Sequence, residues 1–146
     1  MSSFLTNNFF DKVLRGDVNL TAATITVALM NSSWTNSPST SSTWSATNEA
    51  VDTDDTPTYA SPGVALTTPT ITVDAVNNWV TFGAADITWT NTTFASGAAP
   101  AYAAIYDNTG SKILIAVIDL GGEQVTSSES FKLNFSANGV FRLRMY

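Results

Sequence analysis

The side chains that could do chemistry in this sequence are carboxylates and a few lysines. Asp74 and Asp86 flank an aromatic segment around Trp79. Two acids beside an aromatic ring are the parts of a glycosidase site. Asp also serves backbone amides at turns and strand starts, and both residues fall at such positions, so the structural role is the expectation for each. Glu49, Asp52, Asp54 and Asp55 form a second group. Oxygen ligands suit hard cations, but the spacing lacks the glycine and terminal glutamate of a calcium loop, and a solvated acidic loop with no metal is expected. Lys112 and Lys132 have no Ser-x-x-Lys spacing through which to activate a serine. The chain has no histidine and no cysteine. Ser-His-Asp catalysis, thiolate nucleophiles, the commonest transition-metal ligand and a disulfide framework are all removed. No glycine-rich loop opens a helix to cradle a phosphate. The expectation is a protein that is not an enzyme, with no catalytic residues and no cofactor.

Charge narrows the partners. The net charge is −6, with six Lys and Arg among 146 residues. Only Arg142 and Arg144 sit close together, whereas a surface that tracks phosphates needs clustered cations; nucleic acid is not an expected partner. No stretch reads as a signal peptide or a membrane span, so no membrane partner is expected. Charged residues make up 12%, about half the usual share of roughly 25%. Thr, Ser and Asn supply the polarity instead, which favours strands and turns. The length suits one domain, 1–146, able to bury roughly 70% of its unfolded surface.

The elements that must position these residues centre on 101–120. Two apolar runs, 101–106 and 113–120, flank the turn Asp107-Asn108-Thr109-Gly110-Ser111, where Gly110 is the natural position for a positive φ. Leu114, Ala116, Ile118 and Leu120 are expected on one face of the second strand, Ile113, Ile115 and Val117 on the other. A half-exposed strand alternates apolar with polar. This one is apolar on both sides, so something must cover both: a second sheet on one, a helix or a neighbouring subunit on the other.

The segment 1–16 is expected to be the N-terminal helix, running over 3–15. Leu5, Phe9 and Val13 lie on one stripe, Ser2 or Ser3 caps the start, and Gly16 follows the end. A half-buried strand follows at 24–30. Residues 31–63 read as a long Thr/Ser-rich loop carrying Trp34, Trp44 and Tyr59. Indoles in such a loop either pin it to the domain or form a contact surface. From Val64 the pattern is β: strands around Ile71 and Val73, Trp79 to Phe82, and Ile87 to Trp89. Asn138-Gly139 reads as a two-residue hairpin joining 131–135 to a return strand with Phe141, Leu143 and Met145 on one face. The chain end at Tyr146 is expected to be held in a sheet. About eight strands at short spacing with one N-terminal α-helix read as mainly β, an antiparallel two-sheet β-sandwich of jelly-roll or Ig-like type, with a barrel as the second architecture.

Four blocks, Phe4 to Gly16 with ITVALM at 25–30, Tyr59-Ala60, AYAAIYDNTGSKILIAV at 101–117 and FKLNFSANGVFRL at 131–143, give a layout that resembles a group of small tailed-bacteriophage virion proteins. Those proteins are described as capsid cement, decoration or tail-fibre-associated subunits. The resemblance implies a homo-oligomer, often a trimer, that binds the major capsid protein or tail proteins. It implies a place in the virion, at the capsid surface ahead of the tail, after synthesis in the host cytoplasm. It transfers no catalytic residue. Candidate interface residues are Phe4, Phe9, Phe10, Trp34, Trp44, Ile113, Ile115 and Val117. The alternative is a carbohydrate- or receptor-binding β module stacking Trp34, Trp44, Trp79 and Tyr59 on sugar rings.

Overall fold

The structure, a computed structural model, describes residues 2–22 and 24–144. Alternating β-branched and aromatic residues give ten strands: Phe4–Leu5 (β1), Ile25–Asn31 (β2), Val64–Ala65 (β3), Thr70–Asp74 (β4), Trp79–Gly83 (β5), Ile87–Thr92 (β6), Pro100–Asp107 (β7), Leu114–Asp119 (β8), Glu129–Leu133 (β9) and Phe141–Arg144 (β10). One helix, Asn7–Leu14 (α1), lies between β1 and β2. The strands form a five-stranded sheet β1-β8-β7-β2-β3, a three-stranded sheet β10-β5-β4 and the pair β6-β9. Every pairing is antiparallel. The fold is therefore mainly β with a single short helix among the described residues.

The main core lies where all three sheets meet. Ile25, Val27 and Leu29 of β2 pack there with Phe82, Trp89, Phe131 and Phe9. A second cluster occupies the opposite face of the five-stranded sheet, where Ala28, Met30, Ala104, Tyr106, Leu114 and Val117 meet Trp34 and Trp44 from the 31–63 loop. The strand expected to be half-exposed at 24–30 is thus buried on both faces over residues 25–30. Ala28 and Thr26 look like a solvent face in the sequence. Their small size instead lets the loop close over them.

The hairpin at 101–120 forms as expected, and its second strand is covered on both sides. Its faces differ from strict alternation. Ile105 is opposite Ala116, and Tyr106 is opposite Leu114, which leaves Ile115 as an extra residue in a β-bulge. The bulge turns Ile115 and Ala116 to the same core and sends Val117 to the indole side with Leu114. In the turn, the positive φ falls on Lys112 (45°), not on Gly110. The Lys112 ammonium lies 5.0 Å from the Trp44 ring, a cation–π contact that favours this geometry.

The N-terminal helix is shorter than the sequence pattern implies. Phe4 and Leu5 are extended and pair with Val117 and Ala116, closing an otherwise bare edge of β8. The cap is Thr6, in place of Ser2 or Ser3. Its hydroxyl accepts the Phe9 N–H (3.2 Å) and donates to the Leu114 carbonyl (2.5 Å). At the far end Gly16 takes φ +77°, as a helix stop requires.

Asn138-Gly139 does not join two partners in a hairpin. β9 pairs with β6 and β10 with β5, so the turn passes the chain from one sheet to another. Gly139, at φ +76°, abuts the Phe82 carbonyl, where a Cβ would sit 2.3 Å away. The expectations for Met145 and Tyr146 lie outside the described residues. Among those described, no helix is long and apolar enough to cross a membrane.

Candidate functional site

The carboxylates singled out in the sequence fasten loops. Asp52 accepts four backbone N–H groups, from Asp54 (3.2 Å), Thr58 (3.1 Å), Tyr59 (3.2 Å) and Thr93 (2.9 Å). Asp54 accepts the Ser128 hydroxyl (2.8 Å), the Thr93 hydroxyl (3.0 Å) and the Thr56 N–H (3.1 Å). The Ser128 bond, ahead of the others, holds its pKa below the ordinary value. Glu49 is buried and accepts from the Tyr59 and Ser61 hydroxyls, both at 2.5 Å. Burial, with Glu49 beside it, pushes the Tyr59 phenol up. The same phenol oxygen accepts the Leu29 N–H at 2.8 Å. These acids therefore bind the 31–63 loop to β2 and to the β6-β9 pair. Among the described residues no group of three or more His, Cys, Asp or Glu is placed to hold a metal ion.

Asp74 ends β4, opposite Trp79 of β5, and Asp86 lies immediately before β6, and each is engaged by partners of its own. Asp74 accepts the Asn77 side-chain amide (2.8 Å) and the N–H groups of Val76 and Asn77 (3.0 and 3.1 Å), and the Asn77 side chain leads in lowering its pKa. Asp86 accepts the Phe135 N–H at 2.8 Å and pairs with Lys132 at 3.4 Å. Each serves the backbone, as its position in the sequence implies.

Of the four aromatic residues offered for sugar stacking, three are buried. Trp44 stacks on Tyr106 with centroids 4.4 Å apart and planes 9° from parallel. Its indole N–H points at the Met30 sulfur, 3.4 Å away. Trp34 lies against Tyr102, and Tyr59 meets Trp89 and Phe94 edge-on. The indoles pin the loop. Trp79 is half-buried, and the Arg142 guanidinium sits 4.0 Å from its ring centroid.

The eight candidate interface residues separate in the same way. Phe9, Trp34, Trp44, Ile113, Ile115 and Val117 are buried within the single chain and present no surface to a partner. The cover inferred for Ile113 to Val117 is supplied by the chain itself, so their apolar character does not call for a neighbouring subunit. Phe4 is half-buried beside the indole cluster. Phe10 is exposed, on the open side of α1.

The open apolar surface lies elsewhere. On the three-stranded sheet, Ile71 is opposite Phe82 and Val73 opposite Val80, while Phe82 and Val80 are opposite Phe141 and Leu143. These six side chains therefore share one face. Its inner end, Phe82 and Phe141, packs on Phe9. Its outer part is uncovered: Ile71 is 49% exposed and Val73 69%. An apolar groove of about 180 Å³ runs between this face and Phe10, Val13 and Leu20. Sequence reasoning identified the strand around Ile71 and Val73 but did not single it out as an open surface. The signal was present as two strands of equal amphipathicity with too few covering elements for both sheets. The opposite face carries hydroxyls, with Thr68, Thr70, Thr72 and Thr81 lining a shallow groove of about 390 Å³.

No protein-family model, curated protein sequence or solved structure matches the chain.

Proposed function

We propose that this chain is a structural subunit of a tailed-bacteriophage particle, a capsid cement or decoration protein that self-associates and binds the major capsid protein. The observation that carries the reading is the uncovered apolar face formed by α1 and the three-stranded sheet. Its exposed members Phe10, Val13, Ile71 and Val73 lie on one side of a chain whose carboxylates and indoles are committed to holding its own loops. Contiguous apolar surface of this kind marks a site of association. The resemblance of the four sequence blocks points the same way and favours the capsid surface over the tail. On this reading the five-stranded sheet is one layer of a sandwich and the two smaller sheets are the other. The acidic net charge of −6 keeps free subunits soluble in the host cytoplasm before assembly. The carbohydrate reading loses its basis with the burial of Trp34, Trp44 and Tyr59.

Co-sedimentation tests it. Purified chain mixed with undecorated capsids of the phage that encodes it should pellet with them at a saturating, fixed ratio and raise their resistance to heat. Ile71→Lys with Phe10→Glu should abolish binding while leaving the fold intact by circular dichroism. Absence of binding by the wild-type chain would overturn the proposal.

A further inference from the structure

A sheet edge is a row of unpaired backbone donors and acceptors, and proteins blunt it with short strands, charges or proline. The five-stranded sheet ends in two-residue strands, β1 and β3. The three-stranded sheet ends in β10 and β4. The two differ in what they would present to a second copy. Antiparallel self-pairing about a two-fold axis sets residues of equal parity opposite each other. For β10, a register centred on 142 opposes Arg142 to Arg142, and one centred on 143 opposes Arg142 to Arg144. Like charges directly opposite are destabilising. β10 is a guarded edge.

β4 has no such guard. Its five residues, Thr70-Ile71-Thr72-Val73-Asp74, are all exposed, contain no proline and no cation, and carry one charge at the last position. We infer that β4 is a self-pairing edge: two copies of this chain join β4 to β4, antiparallel, about a two-fold axis at Thr72. The sequence of β4 is complementary to itself in this register. Thr72 faces Thr72, Ile71 faces Val73, and Thr70 faces Asp74 of the second copy. β-branched pairs and Thr–Thr pairs are favourable cross-strand neighbours. The two Asp74 carboxylates stand four strand positions apart, roughly 13 Å, beyond the Debye length of about 8 Å at physiological salt. The product is a six-stranded sheet, β10-β5-β4-β4-β5-β10. Ile71 and Val73 of each copy pack side by side with those of the other, and the two grooves beside α1 lie on the same face. The inference rests on the assembly reading above and names the partner of that surface. It also makes the unit a dimer, where the family resemblance implies trimers.

Sedimentation equilibrium of the full chain should show a dimer, strengthened by added salt because the copies share a net charge of −6. Thr72→Lys and Thr72→Glu should each weaken self-association at least tenfold, and an equimolar mixture of the two should restore it. The chain has no cysteine, which gives an independent register test free of added charge. Oxidised Thr72→Cys should form a covalent dimer, and Ile71→Cys, which faces Val73, should not. A wild-type chain that is monomeric at hundreds of micromolar, a trimer indifferent to the Thr72 variants, or equal cross-linking from both cysteines would each overturn the pairing. Capsid co-sedimentation separates the two claims. Capsid binding by a monomer overturns the pairing and the self-association, and leaves the capsid-binding role standing. A β4 dimer that never binds capsids supports the pairing and overturns the function.

Discussion

The five-stranded and three-stranded sheets are built from similar residues and end in opposite circumstances. β2 and β7 are buried on both faces, whereas β4 is exposed along its whole length. Ile71 and Val73 are no less β-branched or apolar than Ile25 and Val27. What separates them is cover. The five-stranded sheet has the other two sheets on one side and the indole-bearing loop on the other. The three-stranded sheet has α1 over its inner end alone. Burial of a strand is thus a property of the segments that reach it, and a strand's own composition sets only how much is gained when something does.

Removing the loop's anchor should break that contrast most severely. Trp44→Ala takes away the ring stacked on Tyr106 and leaves Met30, Leu114 and Val117 under-packed. Truncating a buried tryptophan costs about 3–5 kcal/mol, to be read from urea unfolding midpoints. The variant should also bind an apolar dye, as a sheet that has lost one of its covers. Tyr59→Phe tests the polar side of the same fastening. It deletes the hydroxyl between Glu49 and the Leu29 N–H, leaving buried polar groups unpaired at a cost of about 1–3 kcal/mol.

Titration sharpens the comparison at both ends of the pH range. The Tyr59 phenol has its pKa raised by burial, so the folded state holds this proton more tightly than the unfolded one. That stabilisation is complete below the ordinary phenol value of 10.0 and is lost as pH rises above it. Asp54 and Asp74 are lowered from 3.8, and Glu123 from 4.5, led respectively by bonds from Ser128, Asn77 and Ser32. Their stabilisation is present above those values and is lost as pH falls below them. Thermal melts from pH 3 to 11 should show a plateau with a fall at each end. Substitution on the open sheet should do least. Val73→Thr, at a site 69% exposed, should change the unfolding free energy of the isolated chain by no more than about 0.5 kcal/mol. A larger loss would mean that the face is already covered.

The parts of the fold legible in the sequence were those decided locally. The hairpin of β7 and β8 follows from two apolar runs around a polar turn, and β4-β5 from an alternation that reverses at Asn77-Asn78. The pinning of the loop by Trp34 and Trp44 follows from the cost of exposing an indole. The parts that escaped depend on contacts between distant segments. Phe4 and Leu5 fit a helical stripe, and only the free edge of β8 makes them a strand. The bulge at Ile115 is invisible in a run where every residue is apolar, because no polar position marks the change of face. Asn138-Gly139 has the local chemistry of a hairpin, but the partners of its flanking strands were chosen by β5 and β6. For the candidate site, the sequence located the apolar residues and misassigned which were left open, since that depends on where the 31–63 loop lands.

The pairing of β2 with β7 also bears on how the molecule is made. β2 ends at Asn31, and its partner begins at Pro100, about 70 residues later in synthesis. At roughly 5–20 residues per second, a strand apolar on both faces waits on the order of 4–14 seconds for its neighbour to leave the ribosome. Nascent chains halted before residue 100 should therefore be the sticky ones, engaging chaperones or one another. Chains released after β8 should be quiet. For this protein the hazardous interval falls during translation, between the release of β2 and that of β7.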